Sequence, residues 1–445
     1  ADTVGLQAAV LQQGGVPCSF EQAADVYVLN TCTVTDAADR EAFRLIRKVR
    51  QSRPTARIIV TGCMAEVRAL ELKEKDGVEA VLGPRERQAL LAAVFGGNSQ
   101  EEESTRMECA LVPLKARGSR KRNPGINLNY PLPAEISGPK GEIGEVPTRA
   151  RFHLRIQDGC VNHCTFCIIP KVRGAISSKD PKLVLDDLRL LADKGYEEVV
   201  LSGTHLGGYG QDCGSSLLGL LEQIVCAKLP LRLRLSSIDP NDLSHDLVGL
   251  LSGSDVFCKH LHICVQAFSN PTLRRMARKY RIEDAEALLW YVHEQMPQSC
   301  IGSDVIAGFP GESRQEVDEG ISRFLKLPIS YLHVFPYSER KDTPALRLSG
   351  SVEVQERKRR ASLWRVVGER RREEFFRSLI GQVLDVVVEK REEEALYGTS
   401  GEYAFVKIPL GIDPVELAEE LSAGKRVAVR AVSYEDSEGK LVCQL

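Results

Sequence analysis

The sequence predicts an α/β protein in three parts: an N-terminal doubly wound parallel-sheet domain, a central partial (β/α)6 barrel, and a small C-terminal β-barrel. Three observations predict it. Short apolar strands alternate with amphipathic helical stretches in two blocks, over residues 1–96 and again from Arg151. An aperiodic segment rich in charge, Gly and Pro separates the blocks. After a long charged helical stretch, only short strands and turn residues remain. The expected divisions are residues 1–96, a linker over 97–148, the barrel over 149–378 and the tail over 379–445.

In order along the chain, Thr3–Gln13 reads as a helix with Val4, Ala8 and Leu11 on one face, stopped by Gly14-Gly15. Val26–Asn30 is a buried strand. Asp36 caps a helix that turns Phe43, Ile46 and Val49 inward. Ile58–Thr61 is a second strand, and helices over Glu66–Lys75 and Glu86–Val94 flank a short strand at Ala80–Leu82. A domain of this kind that opens on a helix implies a first strand and its loop upstream of Ala1. Residues 97–148 read as linker, with charge runs at Glu101–Glu103 and Lys115–Arg122 and a candidate strand at Met107–Leu114. The second block offers six strands: Phe152–Ile156, Glu198–Ser202, Leu231–Ser236, His260–Val265, Gly302–Ala307 and Tyr331–Phe335. One intervening helix is well signposted: Asp180 caps it, Pro181 opens it, Val184, Leu188 and Leu191 form its stripe, and Gly195 ends it. A charged helix from Val352 to about Arg377 leads to tail strands at Val383–Val388, Tyr403–Ile408 and Arg426–Val432.

The bulk composition excludes several classes. A net charge of -2 over 445 residues is not that of a generic nucleic-acid coat, so RNA contact would need local patches. Candidates are Lys115–Arg122 and the group Arg274, Arg275, Arg278 and Lys279 on a helical stretch after a barrel strand. No apolar run reaches the length of a membrane span. The thirteen Cys, with no signal-peptide layout ahead of them, point to a reducing, cytoplasmic setting in which thiols serve metals or catalysis.

The strongest chemical signal is Cys160-Val161-Asn162-His163-Cys164-Thr165-Phe166-Cys167, directly after a strand, where parallel barrels collect their chemistry. Three thiolates at spacing C-x3-C-x2-C suit a four-iron cube with one iron left open, since such cubes usually take four Cys. The alternative is a zinc knot completed by His163 or His153, which the barrel context disfavours. Upstream, Asn30-Thr31-Cys32 and Thr61-Gly62-Cys63 each place a Cys after a parallel strand, on the same edge of a doubly wound sheet. The other cysteines, Cys109, Cys213, Cys226, Cys258, Cys264, Cys300 and Cys443, read as inert small hydrophobes.

The block Ile156-Gln157-Asp158-Gly159-Cys160 to Cys167-Ile168-Ile169-Pro170, with Arg173-Gly174, resembles the methylthiotransferase branch of the radical S-adenosylmethionine superfamily. So do Arg234–Ile238, His260–Ile263, Ser303–Glu312 and Tyr331–Ser338. Leu201–Gly210 is similar to stretches of the subfamily acting on N6-threonylcarbamoyladenosine in tRNA, rather than those acting on isopentenyladenosine or a ribosomal protein. The resemblance implies S-adenosylmethionine and two [4Fe-4S] clusters. One is a radical cluster on Cys160, Cys164 and Cys167; the other is an auxiliary cluster on Cys32, Cys63 and a third Cys. The family's G-C-x-x-N motif, which carries that third Cys, has no counterpart here, Cys18 lying too far along.

The resemblance further implies that Phe166, Gly203, Thr204, Ser237, Gln266, Asp304 and Ile306 meet the cofactor. Substrate contacts are expected at His205, at Tyr209 by stacking on a base, and at Arg274, Arg275 and Arg278. Gly207, Gly208 and Gly210 suggest a flexible substrate loop. The tail resembles the TRAM-type RNA-binding module. Implied partners are tRNA, an electron donor such as a flavodoxin or ferredoxin, and a sulfur donor, with the protein a monomer. Cys264-Val265-Gln266-Ala267-Phe268 departs from the family's P-x-Q-S-G, and Lys179 stands where Arg is usual. A reading of another class is an RNA-binding protein whose clusters are not catalytic.

Overall fold

The structure, a computed structural model, describes residues 6–7, 9–11, 13–32, 36–96, 108–115, 128, 132, 142–143, 146–147, 150–410 and 421–445. They form two compact units. One comprises Ala1–Thr148, Gln157–Asn162 and Ile168–Leu190; the other comprises Arg149–Ile156, His163–Cys167 and Leu191–Leu445.

The first unit is built on a five-stranded sheet of β1 (Val16–Cys18), β2 (Val26–Cys32), β3 (Arg57–Gly62), β4 (Val78–Leu82) and β5 (Glu108–Lys115) in the order β1-β5-β2-β3-β4. Every pairing is parallel. Successive residues of β2 serve opposite faces. Tyr27 and Leu29 join Ile58, Val60 and the Ala42, Ile46 and Val49 stripe of the helix Asp36–Ser52. Val26 and Val28 join Ile59, Leu6, Val10, Leu90 and Val94 on the other face. Cover on both faces is what a parallel sheet requires.

Three sequence expectations change here. Residues 97–148 are not linker throughout: the candidate strand Met107–Leu114 is present as β5, which pairs along both of its edges, with β1 and with β2. The short strand β1 is additional. The expected helix Glu66–Lys75 is two pieces, Cys63–Val67 and Ala69–Lys73, broken where Arg68 leaves helical geometry at φ −120°. Residues 142–143 and 146–147 form a two-stranded pair, β6 and β7.

All six expected barrel strands are present: β8 (Phe152–Asp158), β10 (Glu198–Gly203), β11 (Arg232–Leu235), β12 (His260–His262), β13 (Cys300–Ala307) and β14 (Tyr331–Pro336). The short β9 (Ser177–Ser178) pairs antiparallel with the end of β8. The strand order is β9-β8-β10-β11, then β12-β13-β14, with bridges Leu233↔Phe257 and Ile238↔Ile263 carrying the curve across the gap between the two sheets. The signposted helix is present as Pro181–Asp193, with Val184, Leu188 and Leu191 buried.

The helix Val354–Ser378 leads into a closed barrel, β15 (Val383–Arg391), β16 (Ala395–Ser400), β17 (Phe405–Pro409), β18 (Arg426–Glu435) and β19 (Lys440–Gln444), in the order β15-β16-β17-β19-β18. Leu384, Val386, Val388, Leu396, Val406, Ile408, Val429 and Leu441 fill it. The expected tail strands are three of these five. Strand β16 escapes pattern reading because Gly398 interrupts it, where a Cβ would stand 2.2 Å from the Val387 carbonyl.

Candidate functional site

The Cys loop begins where β8 ends. Gly159 has φ +76°, and a Cβ there would lie 1.9 Å from the Ala175 carbonyl, so only glycine fits. The Asp158 carboxylate anchors this turn by accepting from Gly159 N–H at 2.8 Å and from the Arg173 guanidinium at 2.9 Å. Cys160 N–H then donates to the Gly174 carbonyl at 3.2 Å. A Gly159→Ala variant is therefore expected to be destabilised by more than the roughly 1–2 kcal/mol of a left-handed non-glycine residue. It should also lose iron after reconstitution; thermal melting and iron content measure the two effects.

Cys164 and Cys167 lie on the second unit's part of the loop, with Cys167 N–H donating to the Cys164 carbonyl at 3.0 Å. Between them, Thr165 is tied to the end of the helix Asn270–Arg275: its N–H donates to the Met276 carbonyl at 3.0 Å and its hydroxyl to the Arg275 carbonyl at 2.7 Å. Phe166 meets Phe309 edge-on at 6.4 Å. Cys160, Cys164 and Cys167 are half-buried thiols, none in a disulfide. That donor set fits a cluster that takes three protein thiolates.

The residues expected to meet a cofactor stand at the C-terminal ends of barrel strands in the second unit. Gly203 ends β10 and Thr204 follows it, exposed; Ser237 lies just past β11 and is exposed. Gln266 adopts φ +69°, a left-handed conformation costly for a residue with a side chain. Two backbone hydrogen bonds to β13 hold it there, Gln266 N–H to Asp304 and Ile306 N–H to Gln266, each 3.0 Å. Its amide thus reaches Asp304 at 3.2 Å. Asp304 also faces His262 at 3.0 Å and His333 at 3.6 Å. Burial opposes its charge, but hydrogen bonds from the two histidines hold its carboxyl well below the usual carboxylate range. Beyond it, the Tyr331 hydroxyl lies 2.9 Å from both His262 and His260.

Several expected substrate contacts take other roles. Tyr209 is 1% exposed and so cannot stack on an incoming base in this arrangement. Its loop is tightly packed, because a Cβ on Gly207 would lie 2.1 Å from Asp242 Cβ and one on Gly210 2.3 Å from the Ser215 backbone. His205 pairs with Asp242 at 2.7 Å. Arg275 binds Glu316 at 2.6 Å. Arg278 is buried, paired with Asp239 at 2.5 Å and donating to Cys164 Sγ at 3.3 Å, so it does not face RNA. Arg274 alone of the three stays exposed. Lys179 forms a buried ion pair with Asp187. Sequence reasoning missed Asp239, Asp242, His262 and His333, whose partners are 37 to 42 residues away for three of the contacts.

In the first unit, β2 and β3 run side by side with Thr31 opposite Gly62, so Cys32 ends β2 and Cys63 opens the helix that follows β3. The crossing is tight. Thr31 Oγ1 donates to the Thr61 carbonyl and accepts from Met64 N–H at 3.0 Å, and Gly62 at φ +83° leaves no room for a Cβ. Cys63 is fully buried against Ile168 and Val172.

Of the remaining cysteines, burial pushes the Cys258 and Cys300 thiols up to about 12, and Cys443 likewise. They stay protonated and inert. Burial and the neighbouring Asp304 push Cys264 up too.

Residues 1–83 match the model of "Uncharacterized protein family UPF0004", and residues 154–323 match that of the "Radical SAM superfamily". A Bacillus subtilis protein named threonylcarbamoyladenosine tRNA methylthiotransferase MtaB is 35% identical over 391 residues, 87% of this chain and 80% of its own. The chain belongs to the radical S-adenosylmethionine methylthiotransferase family. An Aquifex aeolicus protein of the same name is 34% identical over 87% of this chain and 89% of its own. The solved structure of a radical S-adenosylmethionine methyltransferase, TsrM, from Kitasatospora setae superposes with a TM-score of 0.51 at 18% identity, over 76% of this chain and 66% of that one; this likeness shows the fold alone. Membership in the methylthiotransferase family carries with it a [4Fe-4S] cluster and S-adenosylmethionine. Among the described residues, no helix is long and apolar enough to cross a membrane.

Proposed function

We propose that the chain methylthiolates carbon 2 of N6-threonylcarbamoyladenosine next to the anticodon of tRNA, using two S-adenosylmethionine molecules and two iron–sulfur clusters. The observation that carries this reading is the match, over most of both chains, to relatives named for that nucleoside. Cys160, Cys164 and Cys167 hold the radical cluster, and Cys32 and Cys63 with a further thiol hold the second. When bound, the clusters and S-adenosylmethionine would supply radical chemistry at carbon 2 and the sulfur and methyl group transferred to it.

The residues' own parts follow from their placement. Gly203 and Thr204 bind the cofactor's methionine end, Ser237 and Gln266 its ribose or carboxylate, and Asp304 and Ile306 flank its adenine, with Phe166 beside the cluster loop. His205 orients the substrate side of the same strand ends. Arg274 and the C-terminal barrel hold tRNA phosphates. A flavodoxin- or ferredoxin-type protein gives the electrons, a separate donor gives sulfur, and the enzyme works as a monomer in the cytoplasm. The division into an N-terminal domain, barrel and RNA-binding tail serves these three tasks.

The test is nucleoside mass spectrometry of tRNA lacking the modification, incubated without oxygen with reconstituted protein, S-adenosylmethionine, sulfide and a reductant. The expected product is threonylcarbamoyladenosine heavier by one S–CH2 unit. Accumulation of 5′-deoxyadenosine with that nucleoside untouched would remove the substrate assignment and leave the radical chemistry. A Cys63→Ala variant should still cleave S-adenosylmethionine but form no methylthio product. Full product formation by that variant would remove Cys63 from the second cluster.

A further inference from the structure

We infer that Arg278 is a positioning residue for the radical cluster: a buried guanidinium that hydrogen-bonds the Cys164 sulfur and raises the cluster's reduction potential, with Asp239 as the counter-charge that limits the effect. The inference rests on the proposed cluster assignment of Cys164.

The geometry begins with the end of the helix Asn270–Arg275. Ala277 takes the left-handed conformation, φ +56°, with its N–H on the Arg274 carbonyl at 3.0 Å. Arg278 N–H returns to the Leu273 carbonyl at 2.9 Å. This paired closure of a helix C-terminus fixes the direction in which residue 278 leaves the helix. The same helix end holds Thr165 through the Met276 and Arg275 carbonyls, so the cysteine loop and the arginine share one support.

Every nitrogen of the guanidinium has a partner. Nη1 meets Cys164 Sγ at 3.3 Å, and Nη2 meets Asp239 Oδ2 at 2.5 Å and the Cys264 carbonyl at 3.0 Å. Nε meets the Tyr280 hydroxyl at 3.0 Å, and that hydroxyl in turn donates to the Val265 carbonyl at 2.7 Å. The side chain is 6% exposed and that of Asp239 9%. A surface arginine recruited for phosphate would keep its donors in water. This one spends them on a thiol and on the frame around it.

The consequence is electrostatic. Adding an electron makes the cluster more negative, and a nearby cation and an N–H···S hydrogen bond both stabilise that state, so both raise the potential. Asp239, on the far side of the same guanidinium, works in the opposite sense. Removing the arginine should therefore lower the potential, and neutralising Asp239 should raise it. A strut that only held the loop in place would not produce shifts of opposite sign.

The experiment is an anaerobic redox titration of the reconstituted full chain and of the Arg278→Gln, Arg278→Lys and Asp239→Asn variants, with iron and sulfide content measured first. The paramagnetic signal that responds to added S-adenosylmethionine identifies the cluster of Cys164. At the wild-type midpoint, the reduced-to-oxidised ratio is expected to fall on the order of tenfold in Arg278→Gln, to fall less in Arg278→Lys, and to rise in Asp239→Asn. Unchanged midpoints in loaded Arg278→Gln and Asp239→Asn would overturn the inference, and so would shifts of the same sign. If neither arginine variant loads, Asp239→Asn decides alone, because it keeps the guanidinium on the sulfur: a rise supports the inference and an unchanged midpoint overturns it. A wild-type chain that takes up no four-iron cluster overturns the cysteine assignment first, and the inference with it.

Discussion

Replacing Cys164 by Ala is expected to lower 5′-deoxyadenosine formation by on the order of a thousandfold or more, because a cube with one open iron has no spare thiolate among its three. The fold should survive. Cys164 is a half-buried loop residue, and the loop is pinned by Thr165 on the helix Asn270–Arg275 rather than by the thiol. Melting temperature should therefore move by only a few degrees while reconstituted iron falls. The three thiolates act as a unit, so Cys160→Ala, Cys167→Ala and any double variant should be about as inactive as the single, not multiplicatively worse. Cys300→Ala is the control. Its thiol is buried and neutral, so it should leave cleavage of S-adenosylmethionine intact even if stability drops. Measured cleavage near the wild-type rate in a Cys164→Ala chain would sink the assignment of this loop.

Much of this was legible because the sequence writes it locally. The C-x3-C-x2-C spacing, the strand before it and the βα rhythm around it are each contained in a few residues. All six barrel strands fall where alternation and turn residues put them. What was not legible is non-local. Nothing near Arg278 says that its partners lie at Cys164 and Asp239, so its neighbours Arg274 and Lys279 made it look like part of a basic face. Tyr209 sat in a glycine-rich stretch that reads as a loose loop. The glycines are there because Asp242 and the Ser215 backbone approach too closely for a Cβ. Strand β5 was visible only as the candidate Met107–Leu114, because charge on both sides and Pro113 within it weigh against a strand. The paired edges that stabilise it come from β1 and β2, far away in sequence. The histidines around Asp304 were visible as letters, but their convergence depends on the register of β12, β13 and β14.

Glu198→Gln is expected to give the largest loss of stability in the second unit. Glu198 opens β10 and is fully buried. Its Oε2 accepts from Arg232 Nε at 2.9 Å, its Oε1 from Arg234 Nε at 2.9 Å, and Arg151 stands 3.7 Å away. Each arginine then reaches the C-terminal barrel: Arg232 to the Asp385 carbonyl at 2.8 Å, Arg234 to the Ser400 carbonyl at 2.9 Å, and Arg151 to Glu389 at 2.5 Å. Tyr403 completes the seam, stacked on His260 at 4.3 Å with Arg234 over its ring. One carboxylate thus holds the guanidiniums that join the two barrels. Removing its charge leaves two deeply buried cations without their main partner, which costs about 3–5 kcal/mol for a broken buried pair. The midpoint of thermal unfolding should fall by on the order of 10 °C. The dependence on pH gives an independent check. Burial alone would raise the Glu198 pKa, but Arg234 and Arg232 outweigh it and hold the carboxyl at about 2. A depressed folded pKa means that this stabilisation is complete above the unfolded value near 4.3 and disappears as pH falls towards 2. The stability gap between wild type and Glu198→Gln should accordingly be constant from pH 7 to about 5 and close below that. A gap that persists unchanged at pH 2.5 would mean that the glutamine is misfitted for reasons of shape, and that the charge of Glu198 is not what joins the barrels.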